Sequence, residues 1–275
     1  LYQLYKKAYT PWEWFSKLKK VAEETGIIFF ATAFDKTSVD FLEKINVPIH
    51  KISSFELVDL PLIEYAARTR KPLILSTGMA TLKEIKEAVR TAKSAGAKEI
   101  ILLKCVSSYP AKYEEMNLQT IPDMAKRFKL PIGLSDHTLG IATSVAGVYL
   151  GAKVIEKHFC LSRKIKTPDS FFSLEPKELK ELVDNIRIVE KTLGKPHYGL
   201  TKEEKKSRIF RRSLFVVKDI KKGEIFSEDN IRSIRPAAGL HPKYWVNILG
   251  KESLRDIKRG ESLKWDMVRG VRRKK

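Results

Sequence analysis

The chain has 275 residues, a length that predicts about two domains, and its 43% apolar and 31% charged residues exclude collagen-like and disordered classes. Its longest apolar runs fall far short of the roughly 18 residues that a membrane helix needs, so we expect no membrane partner. The net charge of +20 raises the possibility of nucleic-acid binding. No aromatic residues are interleaved with the terminal cluster Arg272–Lys275 as stacking platforms, so we expect no nucleic-acid partner.

The first 200 residues alternate short apolar runs with amphipathic stretches, which is the pattern of repeated β/α units around a parallel sheet. Six runs are predicted to be strands: 27–31, 48–52, 72–76, 100–105, 131–134 and 153–157. Helices are predicted to begin with Pro11 as the first helical residue, at Thr81 with a capping box to Glu84, and at Glu175–Pro176.

The pattern changes near residue 194. A charged stretch predicts a linker over 199–208, between a barrel domain at 1–198 and a second domain at 209–275. In the second domain, strands are predicted over 213–217 and 231–234, and one similar six-residue phrase occurs at 219–224 and again at 256–261. The Gly of each phrase stands where a turn between strands needs a positive φ, which predicts a small β-rich domain with internal pseudo-symmetry.

Polar residues follow all six predicted strands of the first domain. In a β/α barrel the loops after the strands form one open face, so these side chains are expected to converge there. They include Thr32, Lys51, Ser54, Ser76, Lys104, Ser107 and Ser135. One Ser or Thr after a strand is more often a turn former or helix cap, but lysines and hydroxyls at one mouth indicate a site for phosphate or carboxylate.

Two histidines, His137 and His158, each follow a carboxylate at a predicted strand end. On neighbouring strands their imidazoles are expected to face each other, as two ligands of a divalent metal do, with other positions open to water and substrate. From spacing alone, ordinary hydrogen-bonded histidines are the alternative interpretation.

The two cysteines, Cys105 and Cys160, are too few for a disulfide framework, which predicts a reducing, cytoplasmic location. The chain starts with neither an initiator Met nor a signal-peptide pattern. We therefore expect that Leu1 is not the natural N-terminus.

Several phrases together resemble one enzyme family. They are 51–54, 75–79, 109–111, 133–138 and 156–159, with 212–214, 235–236 and 250–251 near the end. These phrases resemble the sialic acid synthase family, whose members condense phosphoenolpyruvate with an N-acetylated amino sugar. The resemblance implies an α/β fold, a TIM-type (β/α)8 barrel followed by a small β-rich antifreeze-like (SAF) domain.

The resemblance also implies roles for individual residues. Phosphoenolpyruvate binding is assigned to Thr32, Lys51, Ser54, Ser76, Ser107 and Ser135, although Ser107 stands where the family often has Asn. Catalytic metal ligation, to Mn²⁺ or Mg²⁺, is assigned to His137 and His158. Sugar binding is assigned to Tyr109, Asp169, Ser170 and Arg235. The family's counterpart of Arg235 enters the partner's site, which implies a domain-swapped homodimer.

The resemblance is greatest to the branch of the family that makes pseudaminate. The phrases 117–122, 169–176, 231–236 and 239–244 carry this likeness, and Ser170 replaces a His that is typical of the N-acetylneuraminate branch. The residues 1–26 match neither of the first two strands of the family, so the sequence predicts a barrel that lacks its first two β/α units. Synthesis of N-acetylneuraminate or legionaminate is the alternative within the family, and a non-catalytic binder of phosphoenolpyruvate or sugar is the alternative outside it.

Overall fold

The computed structural model describes residues 2, 3, 6 and 9–270, so the basic cluster Arg272–Lys275 lies outside the described residues. The chain divides into two compact units, one ending at Gly194 and one beginning at Lys195. The predicted limits of the domains and of the linker stay a prediction. Among the described residues, no helix combines the length and the apolar character that crossing a membrane requires.

The first unit alternates strands and helices along the chain. Its strands are β1 (His50–Ile52), β2 (Leu73–Ser76), β3 (Ile100–Cys105), β4 (Ile132–Asp136) and β5 (Ile155–Lys157). Its helices are α1 (Trp12–Thr25), α2 (Lys36–Lys44), α3 (Leu60–Arg68), α4 (Leu82–Ser94), α5 (Thr120–Phe128), α6 (Ala142–Tyr149) and α7 (Pro176–Thr192), with a 3-10 turn at Tyr113–Glu115. This order confirms the β/α pattern.

The five strands form one parallel sheet in which spatial order follows chain order. Parallel strands joined by crossover helices place all their carboxyl ends at the same edge of the sheet. The core lies between the sheet and the helices, and the strand residues Ile52, Leu75, Leu102 and Leu134 are essentially inaccessible to solvent. The sheet therefore acts as a rigid support for the residues at its carboxyl edge.

The prediction of a strand at 27–31 is wrong. Residues 27–31 have no regular secondary structure and no strand partner within the described chain, and a single parallel bridge joins Thr32 to Lys51, with the Ala33 amide donating to the Lys51 carbonyl at 3.0 Å. Because β1 is only three residues long, the run meets a pairing partner only at its end. Ile27 and Ile28 are consequently exposed.

The helix starts follow their local signals in two of three cases. Thr81 and Glu84 form the predicted capping box of α4, and Pro176 is the first residue of α7 after the cap residue Glu175. Pro11 is a correction: it is the cap residue, with extended backbone, and α1 begins one residue later. The N-terminal side of a helix accepts Pro at either position because no intrahelical bond is lost there.

The second unit contains β6 (Ser213–Val216) and β7 (Ile231–Ile234) as an antiparallel pair, and α8 (Glu204–Ser207) and α9 (Trp245–Ile248) as single turns. Its 3-10 turns are Arg208–Phe210, Pro242–Tyr244 and Trp265–Met267. Ile220 and Ile257, from the two similar phrases, bridge antiparallel to each other. The Lys222 amide donates to Asp256 at 2.8 Å and the Arg259 amide donates to Asp219 at 2.9 Å, so the predicted pseudo-symmetry is confirmed.

Candidate functional site

A cavity of about 400 Å³ opens at the carboxyl edge of the parallel sheet. Its size falls within the range of small-molecule sites. The lining residues are Thr32, Phe34, Lys51, Ser53, Ser54, Phe55, Ser76, Cys105, Tyr109, Ser135, His137, Glu156, Lys157 and His158. The structure thus brings together five of the polar residues that were predicted to converge, Thr32, Lys51, Ser54, Ser76 and Ser135, whereas Lys104 and Ser107 are not among the lining residues.

One chain of polar contacts crosses the floor of the cavity. Lys51, the middle residue of β1, is almost fully buried, and its ammonium donates to Ser76 Oγ at 2.9 Å. The same ammonium lies 3.4 Å from Glu156 Oε2, while Ser135 Oγ donates to Glu156 Oε1 at 2.6 Å. A buried lysine bonded to one hydroxyl, in a cavity that other serine hydroxyls also line, presents a positive charge and several donors, which is the chemistry of an anion site.

Ser54 reaches the cavity from the loop after β1. It is buried, and the Gly78 amide donates to its oxygen at 3.0 Å. Ser107 lies beside the cavity, with its hydroxyl 3.9 Å from the sulfur of Cys105. Both hydroxyls surround Gly78, whose lack of a side chain permits their close approach.

The two predicted imidazoles do face each other. The ring centroids of His137 and His158 are 5.2 Å apart. His137 Nδ1 is 2.8 Å from the Val106 carbonyl, which can only accept, so Nδ1 carries the proton and Nε2 holds the free lone pair. His158 Nδ1 lies 3.6 Å from Asp169 Oδ2. A hydrogen bond from a second group thus orients the His137 ring, as is usual for metal-ligating histidines, whereas Asp169 lies beyond hydrogen-bond distance of the His158 ring.

The donor set fits a divalent metal with open positions. Among the described residues, no group of three or more His, Cys, Asp and Glu side chains is arranged to hold a metal ion. The pair His137 and His158 therefore offers two nitrogen ligands, and the remaining positions of a bound metal would fall to water and substrate oxygens. That arrangement suits a catalytic metal better than a structural one, which takes four protein ligands.

An aromatic wall borders the two histidines. The ring of Tyr109 is centred 4.4 Å from that of His137, and the ring of Phe172 is centred 4.8 Å from that of His158 and 5.8 Å from that of Tyr109. Phe171 packs edge-on against Phe172 with centroids 5.1 Å apart. These rings provide an apolar surface next to the polar floor.

The predicted sugar-binding residue Ser170 does not line this cavity. Ser170 is buried, and its hydroxyl is used locally: it donates to the Thr167 carbonyl at 3.2 Å and accepts from the Thr167 amide at 3.1 Å. A turn-forming Ser satisfied by its own backbone has no need of a ligand. Arg235 belongs to the second unit, at the end of β7, and its predicted role stays a prediction.

Two cavity residues, Cys105 and Glu156, are absent from the predicted site residues. Together with the predicted residue Ser135 they form one row across β3, β4 and β5, because each is paired in register with the next. Side chains alternate between the faces of a strand, so this row points to the cavity together. The alternation of side chains between the two faces of β5 is the signal that identifies Glu156 as a cavity residue. Lys157, at the next register position, also borders the cavity.

Burial and neighbouring groups shift several pKa values. Burial alone lowers the pKa of His137, but contacts with the Cys105 thiol and the Val106 carbonyl hold it above its ordinary value. Burial lowers the pKa of His158, which therefore favours the neutral, ligating form. Burial also raises the pKa of Tyr109, so its hydroxyl stays protonated.

Two family models match this chain. The model of the NeuB family matches residues 1–198, and the SAF domain model matches residues 211–269. The chain is 44% identical over 264 residues to the pseudaminic acid synthase of Campylobacter jejuni, covering 96% of this chain and 77% of that protein. It is 43% identical to the pseudaminic acid synthase of Helicobacter pylori, covering 98% and 79%.

The chain is also similar to a legionaminic acid synthase and to a solved structure of a sialic acid synthetase. An N,N'-diacetyllegionaminic acid synthase of Campylobacter jejuni is 44% identical, covering 88% of this chain and 74% of that protein. The crystal structure of N-acetylneuraminic acid synthetase from Leptospira borgpetersenii superposes with a TM-score of 0.70 at 36% identity, covering 74% of this chain and 72% of that one. These matches confirm the predicted fold class, and the chain belongs to the NeuB family, with a SAF domain as its second domain.

Proposed function

We propose that this protein is a transferase that condenses phosphoenolpyruvate with 2,4-diacetamido-2,4,6-trideoxy-L-altrose to give pseudaminate and phosphate. One observation carries the proposal: the buried anion site around Lys51 and the facing pair His137 and His158 share a single cavity. The family membership and the 44% identity to a pseudaminic acid synthase support the choice of reaction and of sugar.

The reaction requires a carbon–carbon bond and the loss of phosphate. C3 of phosphoenolpyruvate forms a bond to the aldehyde carbon of the open-chain sugar, and the aldehyde oxygen takes up a proton. Water then adds to C2, and the bond between C2 and the phosphate oxygen breaks, so that phosphate leaves and a 2-keto acid remains. Atoms balance as phosphoenolpyruvate, aldehyde and water going to the keto acid and phosphate.

The floor of the cavity supports binding of the anionic substrate. Lys51, Ser54, Ser76 and Ser135 supply one fixed positive charge and three hydroxyls to the phosphate and carboxylate. In the structure the carboxylate of Glu156 pairs with Lys51 and accepts a hydrogen bond from Ser135. The anionic substrate therefore displaces this carboxylate when it binds to the two residues. Donors that are already oriented by the sheet need little reorganisation when charge develops.

His137 and His158 are the residues that would hold the metal. When bound there, Mn²⁺ or Mg²⁺ supplies Lewis-acid polarisation of the sugar aldehyde. Imidazole nitrogen is a softer ligand than the oxygen that Mg²⁺ prefers, which favours Mn²⁺ in this site. The ring of Tyr109 lies against that of His137 and borders the same cavity.

The aromatic wall supports a sugar with a methyl group at C6. The buried ring of Phe172 packs beside His158, and the exposed ring of Phe171 packs on Phe172. Against such apolar rings the methyl group of a 6-deoxy sugar avoids the cost of desolvating a hydroxyl. Asp169 lies next to His158 and remains half exposed, available to an amide or hydroxyl of the sugar. The neighbouring Ser170 contributes shape rather than a hydrogen bond, since its hydroxyl is engaged with Thr167.

The proposal also covers the subunit assembly and the cellular location of the protein. We place Arg235 of a partner subunit in the sugar site of a domain-swapped homodimer, on the resemblance described above. We place the protein in the cytoplasm, where phosphoenolpyruvate is made and where the unpaired thiols of Cys105 and Cys160 are stable.

The decisive experiment measures phosphate release. The protein is incubated with phosphoenolpyruvate and Mn²⁺, together with either the 2,4-diacetamido-2,4,6-trideoxy hexose or N-acetylmannosamine. We expect release with the former, and loss of release in His137→Ala and His158→Ala. Preference for N-acetylmannosamine would overturn the choice of sugar. Calorimetric binding of phosphoenolpyruvate without release under any condition would instead support a non-catalytic binder.

A further inference from the structure

We propose that the buried ion pair between Asp136 and Lys157 is a positioning clamp that sets the separation of His137 and His158. The inference rests on the proposed function, because it assigns these two histidines to a metal. It gives a role to two residues to which neither the motif analysis nor the proposed chemistry assigns one. The clamp acts on the reaction only through the two imidazoles.

The pair joins the ends of the two strands that carry the histidines. Asp136 is the last residue of β4, and Lys157 is the last residue of β5. The Lys157 ammonium donates to Asp136 Oδ2 at 2.9 Å and to the Thr138 carbonyl at 2.5 Å. Lys157 directly precedes His158 in the chain. It is thus hydrogen-bonded to Asp136 and Thr138, the residues on both sides of His137.

The clamp lies on the opposite face of the sheet from the anion site. Ser135 and Glu156 form one register pair and point into the cavity, while Asp136 and Lys157 form the next pair. Successive side chains of a strand point to opposite faces, so this pair is directed towards helix α6. Ser144 of α6 confirms the direction, since its hydroxyl donates to Asp136 Oδ2 at 2.6 Å.

Asp136 accepts four hydrogen bonds, and Lys157 donates two of its three. Asp136 is fully buried, and its Oδ1 accepts from both the amide and the hydroxyl of Thr138 at 2.8 Å. The side chain of Lys157 is 4% exposed. A carboxylate with four donors and an ammonium with two acceptors each have one favoured position, which makes the network rigid.

A buried ion pair gives little net stability over an apolar pair of the same shape, because both charges lose their hydration. Its effect is on geometry: it fixes the register between β4 and β5 at the point where each strand ends and the ladder no longer constrains it. Supporting residues behind metal ligands commonly change metal affinity 10- to 100-fold when they are replaced. We expect an effect of this size from loss of the clamp.

The test compares Mn²⁺ affinity in three proteins, by electron paramagnetic resonance of the free ion. They are the native protein, Lys157→Met and the control Leu62→Ala, which opens a hole in the core beneath helix α3. Leu62 is buried away from the cavity, so the control lowers thermal stability without touching the site. We expect Lys157→Met to bind Mn²⁺ about 10- to 100-fold more weakly and the control to keep native affinity.

A second readout separates positioning from substrate contact, since Lys157 also borders the cavity. With saturating Mn²⁺, we expect the KM for phosphoenolpyruvate in Lys157→Met to stay within about twofold of the native value. A raised KM with native Mn²⁺ affinity would overturn the clamp and make Lys157 a substrate ligand. If Lys157→Met does not fold, Ser144→Ala replaces it, with a smaller weakening of Mn²⁺ binding expected and unchanged binding refuting the proposal.

Failure of the clamp and failure of the proposed function give different results. Native protein that binds Mn²⁺ and releases phosphate, with the same Mn²⁺ affinity in Lys157→Met, refutes the clamp alone. Native protein that binds no Mn²⁺ refutes both the assignment of the metal to His137 and His158 and the clamp that depends on it.

Discussion

Replacing Gly78 by Ala gives a direct test of the anion site, because the absence of a side chain at Gly78 permits its geometry. A methyl group there would overlap the hydroxyl of Ser107 and lie 2.8 Å from Ser54 Oγ and 3.2 Å from Cys105 Sγ. Gly78 does not have the positive φ that disfavours Ala, so the backbone can accept the substitution. The strain falls on the two hydroxyls that are proposed to bind phosphoenolpyruvate.

The size of the expected effect follows from inserting the methyl group and displacing a hydroxyl. Inserting a methyl group into a packed site costs about 1–3 kcal/mol of stability. Displacing a hydroxyl from a charged ligand removes a hydrogen bond worth roughly 1.5–3 kcal/mol. At about 1.4 kcal/mol for each tenfold change, we expect Gly78→Ala to weaken phosphoenolpyruvate binding by about 10- to 100-fold.

The assay is calorimetric titration with phosphoenolpyruvate, with thermal unfolding measured in parallel. Gly147→Ala on helix α6 is the matched control, since its new methyl group would meet the mobile end of Leu134 at 2.8 Å and leave the hydroxyls untouched. The double variant Gly78→Ala, Ser107→Ala removes the overlapping oxygen, so it should regain stability without regaining affinity. Native affinity in Gly78→Ala would refute the placement of the anion around Ser54 and Ser107.

Three further predictions concern single residues. Burial lowers the pKa of His50, so the folded protein keeps it neutral while the unfolded chain takes up a proton near pH 6.5; the free energy of unfolding should therefore fall below that pH, and urea titrations at pH 7.5 and 5.5 should show a smaller fall in His50→Gln. Glu156→Gln removes the carboxylate beside Lys51 and should tighten binding of inorganic phosphate in a calorimetric titration; equal or weaker binding contradicts the competition between them. Thr81→Ala removes the cap of α4 and should cost about 1 kcal/mol in chemical unfolding, whereas Thr81→Ser should cost little and serves as its control.

The sequence alone determined the repeating units and the position of most site residues. Apolar runs separated by amphipathic stretches require a parallel sheet, and a parallel sheet gathers its carboxyl ends at one edge. The placement of Lys51, Ser76, Ser135, His137 and His158 around one cavity followed from that rule before any distance was known. Capping signals such as Thr81 and Glu84 are equally local, because donor and acceptor lie within one turn.

Tertiary structure decided what depends on partners distant in sequence. Residues 27–31 have the composition of a strand, but a strand needs a ladder, and the three residues of β1 offer a bond only at its end. Ser170 carries a hydroxyl that could bind a sugar, but this hydroxyl is hydrogen-bonded to the backbone within its own turn. Glu156 and Lys157 are adjacent in the chain and serve opposite faces of the sheet, a division fixed by the register of β5 against β4. Composition sets what each residue can do, and pairing across the sheet sets which neighbours it meets.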